Sequence, residues 1–127
     1  MLESTEPIAF LPSSDLERSR RFFGGALALP VREMTPFACV LSAGPITLRV
    51  TKVDDLRPQP FTVLGWRVPD IRAAIARLTG AGVEFVRYDG VDQDADGVWT
   101  TPGGDRVAWF RDPDGNTLSL TEFRAHR

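Results

Sequence analysis

The apolar positions of this chain change period twice, in the same order. A short apolar segment, Ile8 to Leu11, precedes a stretch in which Leu16, Ser19, Phe22 and Phe23 fall on one helical face. Phe61 to Val68 precedes Ile71, Ala74, Ile75 and Leu78 in the i, i+3, i+4, i+7 pattern. Ser14-Asp15-Leu16 is answered by Pro69-Asp70-Ile71, an offset of 55 residues. Ser14 and Glu17 have capping-box spacing, which predicts a first helix from near Ser14, ended by Gly24-Gly25. The second helix is predicted to start near Asp70 and to end at Gly80 and Gly82.

The other segments read as strands. Phe37 to Leu41 is short, and Ala43-Gly44-Pro45 supplies the turn after it. Ile46 to Val53 alternates, with Ile46, Leu48 and Val50 on the face expected beneath the helix and Thr47, Arg49 and Thr51 on the other. Val83 to Tyr88, Val98 to Thr101, Arg106 to Phe110 and Thr117 to Phe123 are the predicted strands of the second half. Asp112-Pro113-Asp114-Gly115-Asn116 is a turn by its chemistry, and Lys52 to Pro60 reads as the connector. The fold class is therefore α+β: two tandem β-α-β-β-β modules, about residues 6–55 and 60–124, within one domain of residues 1–127. Two such modules predict a curved, antiparallel-rich sheet around a shared cleft, the expected functional site.

Composition narrows the function. The chain is 43% hydrophobic with a net charge of -2, which excludes disorder and makes nucleic acid a poor partner. Its densest basic cluster, Arg18, Arg20 and Arg21, shares a predicted helix with Glu17 and reads as a solvated face. No apolar run is long enough to span a bilayer, so no membrane partner is expected. Met1 to Glu6 is polar and acidic without a leader pattern, so a cytoplasmic location is expected. The single cysteine, Cys39, rules out an internal disulfide. Asp89, Asp92, Asp94 and Asp96 lie in one loop without the glycine and glutamate of a calcium loop, and that loop is expected to be solvated and mobile.

This layout, with Ser-Asp-Leu-Glu-Arg-Ser-Arg-Arg-Phe-Phe at residues 14–23 and Phe-Arg-Asp-Pro-Asp-Gly-Asn-Thr-Leu at 110–118, resembles the glyoxalase, bleomycin-resistance and extradiol-dioxygenase superfamily, the vicinal oxygen chelate family. In metal-using members, four ligands on the first and last strands of each half point into the cleft. The resemblance carries those positions to Ile8, Val63, Ser119 and Arg49, or Thr47 if the register differs by two. Isoleucine and valine have no donor atom, arginine is a permanent cation, and serine alone is a poor ligand. The one histidine, His126, is the penultimate residue. No metal and no cofactor are therefore expected.

The expected partner is a small-molecule ligand, aromatic or acidic, such as an antibiotic that is sequestered. Arg49 would fix an anionic group. Trp99 and Trp109 would offer rings for stacking, whereas Trp66, between Leu64 and Val68, reads as core. Phe37-Ala38-Cys39-Val40 is similar to the strand lining the groove of bleomycin-resistance proteins, which adds Phe37 and Cys39 to the ligand-binding positions. The tryptophan those proteins carry before the Arg-Asp-Pro turn is Gly104 here. A bland alternative pairs Arg49 with Glu122, an aspartate or solvent. The alternative function is a glyoxalase-family enzyme (lyase, isomerase or dioxygenase-like) with an atypical or metal-independent site, using Glu33, Glu122 or an aspartate as base. A homodimer is also expected, as relatives pair modules within a chain or across a dimer.

Overall fold

The structure is a computed structural model that describes residues 1–125. The chain divides into two compact units, Met1–Pro58 and Gln59–Arg127, and the division falls inside the connector read from the sequence.

The first unit runs β1 (Ile8–Ser13), α1 (Leu16–Arg20), β2 (Val31–Met34), β3 (Ala38–Ala43) and β4 (Ile46–Lys52). Its sheet has the order β1-β4-β3-β2, with β1 parallel to β4 and the other pairs antiparallel. The second unit repeats this as β5 (Thr62–Arg67), α2 (Ile71–Gly80), β6 (Trp99–Thr100), β7 (Arg106–Arg111) and β8 (Thr117–Glu122), in the order β5-β8-β7-β6. The duplication extends to backbone detail. Asp15 and Asp70, 55 residues apart, are extended N-caps whose carboxylates accept the N–H of Arg18 and Ala73, each at 3.1 Å. A cap of this kind contributes about 1 kcal/mol.

Three details differ from the sequence reading. Asp15, not Ser14, caps α1, and Glu17 turns outward to Arg20 and Arg21. The two glycines do not stop the helix. It continues as a wider π-type turn over Arg21–Ala26, because Gly24 lets the turn approach β2: a Cβ there would meet Val31 Cγ2 at 2.8 Å. Val83 to Tyr88 forms no strand, and only Phe85 bridges to Phe110.

Each helix covers one face of its own sheet, α1 on β3 and β4, α2 on β7 and β8. Beneath α1, Leu11, Phe23, Leu41, Leu48 and Val50 are buried, each contributing about 1.5–3 kcal/mol. Ser13 and Ser19 are buried there too and bond to each other at 2.6 Å, which satisfies hydroxyls that would otherwise destabilise the core. Beneath α2 lie Ile71, Ile75, Ala108, Phe110, Leu118 and Leu120, with Trp66 stacked on Phe110 at 6.4 Å. Glu122 ties β8 to α2 by accepting the Ile71 N–H at 2.9 Å, and it pairs with Arg106 at 3.3 Å. No helix among the described residues is long and apolar enough to cross a membrane.

Candidate functional sites on the two open sheet faces

With one face of each sheet taken by its helix, chemistry is left to the opposite face. Directly paired residues on neighbouring strands point the same way, so register assigns every side chain to a face. In the first unit, Cys39–Val50 and Leu41–Leu48 pair beneath α1. The alternate pairs, Ala38–Thr51, Val40–Arg49 and Ser42–Thr47, therefore line the open face, and β1 adds Ile8 beside Thr47 and Phe10 beside Arg49. Ile8 is 54% exposed and Phe10 61% exposed, large apolar groups on an open surface.

The positions expected to share a site separate under this register. Ile8, Thr47 and Arg49 are together. Cys39 is not among them: it lies on the α1 side, fully buried, where burial pushes its thiol pKa up. Phe37 precedes β3 and points away from the packed structure, 73% exposed. Both had been placed by likeness to a groove strand, and the pairing of β3 with β4 decides otherwise for Cys39.

Arg49 is half-buried, and its guanidinium has no hydrogen-bond or ion-pair partner among the described residues. Other arginines are engaged. Arg32 donates to Ser42 Oγ at 2.7 Å, Arg106 pairs with Glu122, and Arg67 lies over the Phe123 ring at 5.0 Å. Glu122, once a possible partner for Arg49 or a catalytic base, is committed to Ile71 and Arg106. Thr51 Oγ1, on the same face as Arg49, is enclosed and has no hydrogen-bond partner among the described residues.

In the second unit, Ala108, Phe110, Leu118 and Leu120 face α2, so the open face carries Gly65, Ser119 and Trp109 in one row, with Thr121, Val107 and Trp99 beside it. Val63 falls at a register irregularity between Thr62 and Leu64, and the residue opposite Ser119 is Gly65. Gly65 lies five residues before Asp70, as Phe10, opposite Arg49, lies five before Asp15. Glycine is required here: a Cβ at Gly65 would lie 2.5 Å from Ser119 Oγ. Ser119 is buried on that glycine, next to the ring of Trp109.

Trp99 and Trp109 stack at 6.2 Å and 25°, and Tyr88 meets Trp109 edge-on at 5.4 Å. Tyr88, Phe10 and Gly65 were not singled out from the sequence. Phe10 was legible as the alternate neighbour of Ile8, whereas Tyr88 depends on the loop that follows it. That loop is pinned, contrary to the expectation of mobility. Gln93 accepts the Tyr88 N–H at 2.8 Å and donates to the carbonyls of Val86 and Gly97, each at 2.9 Å. Arg72 of α2 grips Asp94 at 2.7 Å and Asp96 at 2.8 Å. The Arg72 bond holds the Asp94 carboxyl below the usual carboxylate range.

The donor set does not fit a divalent metal. Where the first and last strands of each sheet pair, the open faces carry Ile8 with Thr47, Phe10 with Arg49 and Gly65 with Ser119, which offer hydroxyls and a cation but no carboxylate, imidazole or thiolate. Among the described residues, no three His, Cys, Asp or Glu side chains gather as a metal group. His126 lies outside the described residues.

Residues 6–120 match the family model described as the Glyoxalase/Bleomycin resistance protein/Dioxygenase superfamily. No curated protein matches the chain. Similar solved structures include a glyoxalase family protein from Enterococcus faecalis, at 20% identity and a TM-score of 0.76, covering 96% of this chain and 100% of that one. A lactoylglutathione lyase from Agrobacterium tumefaciens is 16% identical with a TM-score of 0.73, covering 96% of each chain. A superfamily member from Sphaerobacter thermophilus is 22% identical with a TM-score of 0.72, covering 97% of this chain and 100% of that one. At these identities the likeness shows the fold.

Proposed function

We propose, for a chain that belongs to the Glyoxalase/Bleomycin resistance protein/Dioxygenase superfamily, a binding function that needs no metal: capture of a small anionic aromatic molecule, anchored by Arg49. The observation that carries this reading is Arg49, a half-buried residue with no hydrogen-bond or ion-pair partner among the described residues, beside the exposed Phe10. A guanidinium with no counter-charge paired to it can grip a carboxylate or phosphate with two parallel hydrogen bonds. Ile8 and Phe10 supply the apolar surface for the rest of such a ligand. The Tyr88, Trp99 and Trp109 cluster of the second unit supports the same ligand class, since planar rings stack on it favourably.

Calorimetric titration with 2-naphthoate, 2-naphthalenemethanol and 2-naphthylmethylamine tests the charge preference. The expected result is saturable binding of the carboxylate, about ten-fold or more tighter than the alcohol, with the amine weakest. Equal affinity for all three would remove Arg49 as the anchor.

A further inference from the structure

We propose that the open face of the first unit selects a ligand with two opposite charges, an anionic group held by Arg49 and a cationic group held by Glu33, with an apolar spacer across Val40. This rests on the reading of Arg49 as an anion anchor and adds the second contact.

One straight row crosses all four strands of the first sheet: Phe10 of β1, Arg49 of β4, Val40 of β3 and Glu33 of β2. It presents in order a ring, a cation, an apolar side chain and a carboxylate. Glu33 belongs to this row only because β2 carries an irregularity. Val31 pairs with Leu41, on the α1 side of the sheet. Regular alternation would place Glu33, two residues on, with Val31. The register shift between Val31 and Glu33 instead sets Glu33 opposite Val40. Irregularities of this kind re-aim side chains, and they recur beside functional sites.

Glu33 and Arg49 do not neutralise each other. Two strand spacings put their backbones about 10 Å apart, and neither side chain has a hydrogen-bond or ion-pair partner among the described residues. Arg32, the nearest cation in sequence, is turned to Ser42 Oγ. The face thus keeps Arg49 and Glu33 as separated charges of opposite sign with Val40 between them, while Arg32 remains a cation beside Ser42. A ligand that bridges them satisfies both, whereas a simple anion leaves Glu33 in water.

The test uses phenylacetate, 4-(aminomethyl)phenylacetate and 4-(hydroxymethyl)phenylacetate, titrated calorimetrically at low salt into the wild-type chain, Glu33→Gln and Arg49→Ala. In the wild type the aminomethyl compound should bind about five- to ten-fold tighter than the hydroxymethyl compound, the gain of one charge-assisted contact at a wet surface. In Glu33→Gln that ratio should fall to near one. In Arg49→Ala all three compounds should weaken together. A ratio that survives Glu33→Gln overturns the two-charge proposal and leaves the Arg49 anchor standing. Phenylacetate binding that is the same in Arg49→Ala and wild type overturns both, as does the absence of binding by all three compounds. Circular dichroism of each variant establishes that it is folded.

Discussion

Replacing Gln93 by alanine should destabilise the second unit by about 2–3 kcal/mol, far more than its place in a polar loop suggests. The side chain makes three hydrogen bonds, all to backbone: it accepts from Tyr88 N–H and donates to Val86 and Gly97 carbonyls. Each such bond has a net worth of roughly 1 kcal/mol, and a buried partner left unpaired costs more. Gly97 is buried, while Val86 and Tyr88 are half-buried and can recover part of the loss from water. Glutamate cannot substitute at neutral pH, because its carboxylate would face two carbonyl acceptors. Urea unfolding followed by circular dichroism measures the change. Tryptophan emission should shift to the red in the native baseline, as Tyr88 loosens from Trp109. Asp92→Ala, at an exposed neighbour, should stay within about 0.5 kcal/mol. A Gln93→Ala variant as stable as Asp92→Ala would refute the pinned loop.

Gly65→Ala should cost about 1–3 kcal/mol by overpacking against Ser119, and Ser119→Ala in the same chain should restore most of it, since the close atom is Ser119 Oγ; equal costs in both backgrounds would show that the contact is not the cause. Burial raises the Asp112 carboxyl above its ordinary 3.8, against the hydrogen bonds from Asn116 that lower it. A raised folded value means that the stabilisation present below pH 3.8 is lost as pH rises through the folded pKa. Asp112→Asn should therefore gain stability relative to wild type over that rise, and a difference independent of pH in thermal melts would contradict it. Cys39, fully buried with its thiol pKa raised by burial, should react with a thiol reagent only on unfolding, and rapid labelling of the native chain would be inconsistent with its place beneath α1.

Much of the fold could be read from residue order, because the two halves share a physical plan. Asp15 and Asp70 mark both helix starts, and the alternation of Ile46 to Val53 separates Leu48 and Val50 from Arg49. β2 was hidden since Val31 to Met34 are all exposed and the register shift erases their alternation. Val83 to Tyr88 looked like a strand, but Gln93 takes the backbone groups of Val86 and Tyr88 that a neighbouring strand would have used. The site was less legible than the fold. Arg49 and Trp109 follow from alternation alone. Gly65 opposite Ser119, Cys39 on the far face, and Tyr88 against Trp109 depend on register and on a loop closed by side-chain bonds, which no local pattern encodes.

Binding of 2-naphthoate in buffer containing excess chelator, compared between the wild-type chain and Arg49→Met, tests the central claim most directly. Saturable binding by the wild type, unaffected by the chelator and lost in Arg49→Met, is the predicted result. Binding that requires a divalent cation, or that persists in Arg49→Met, would contradict it.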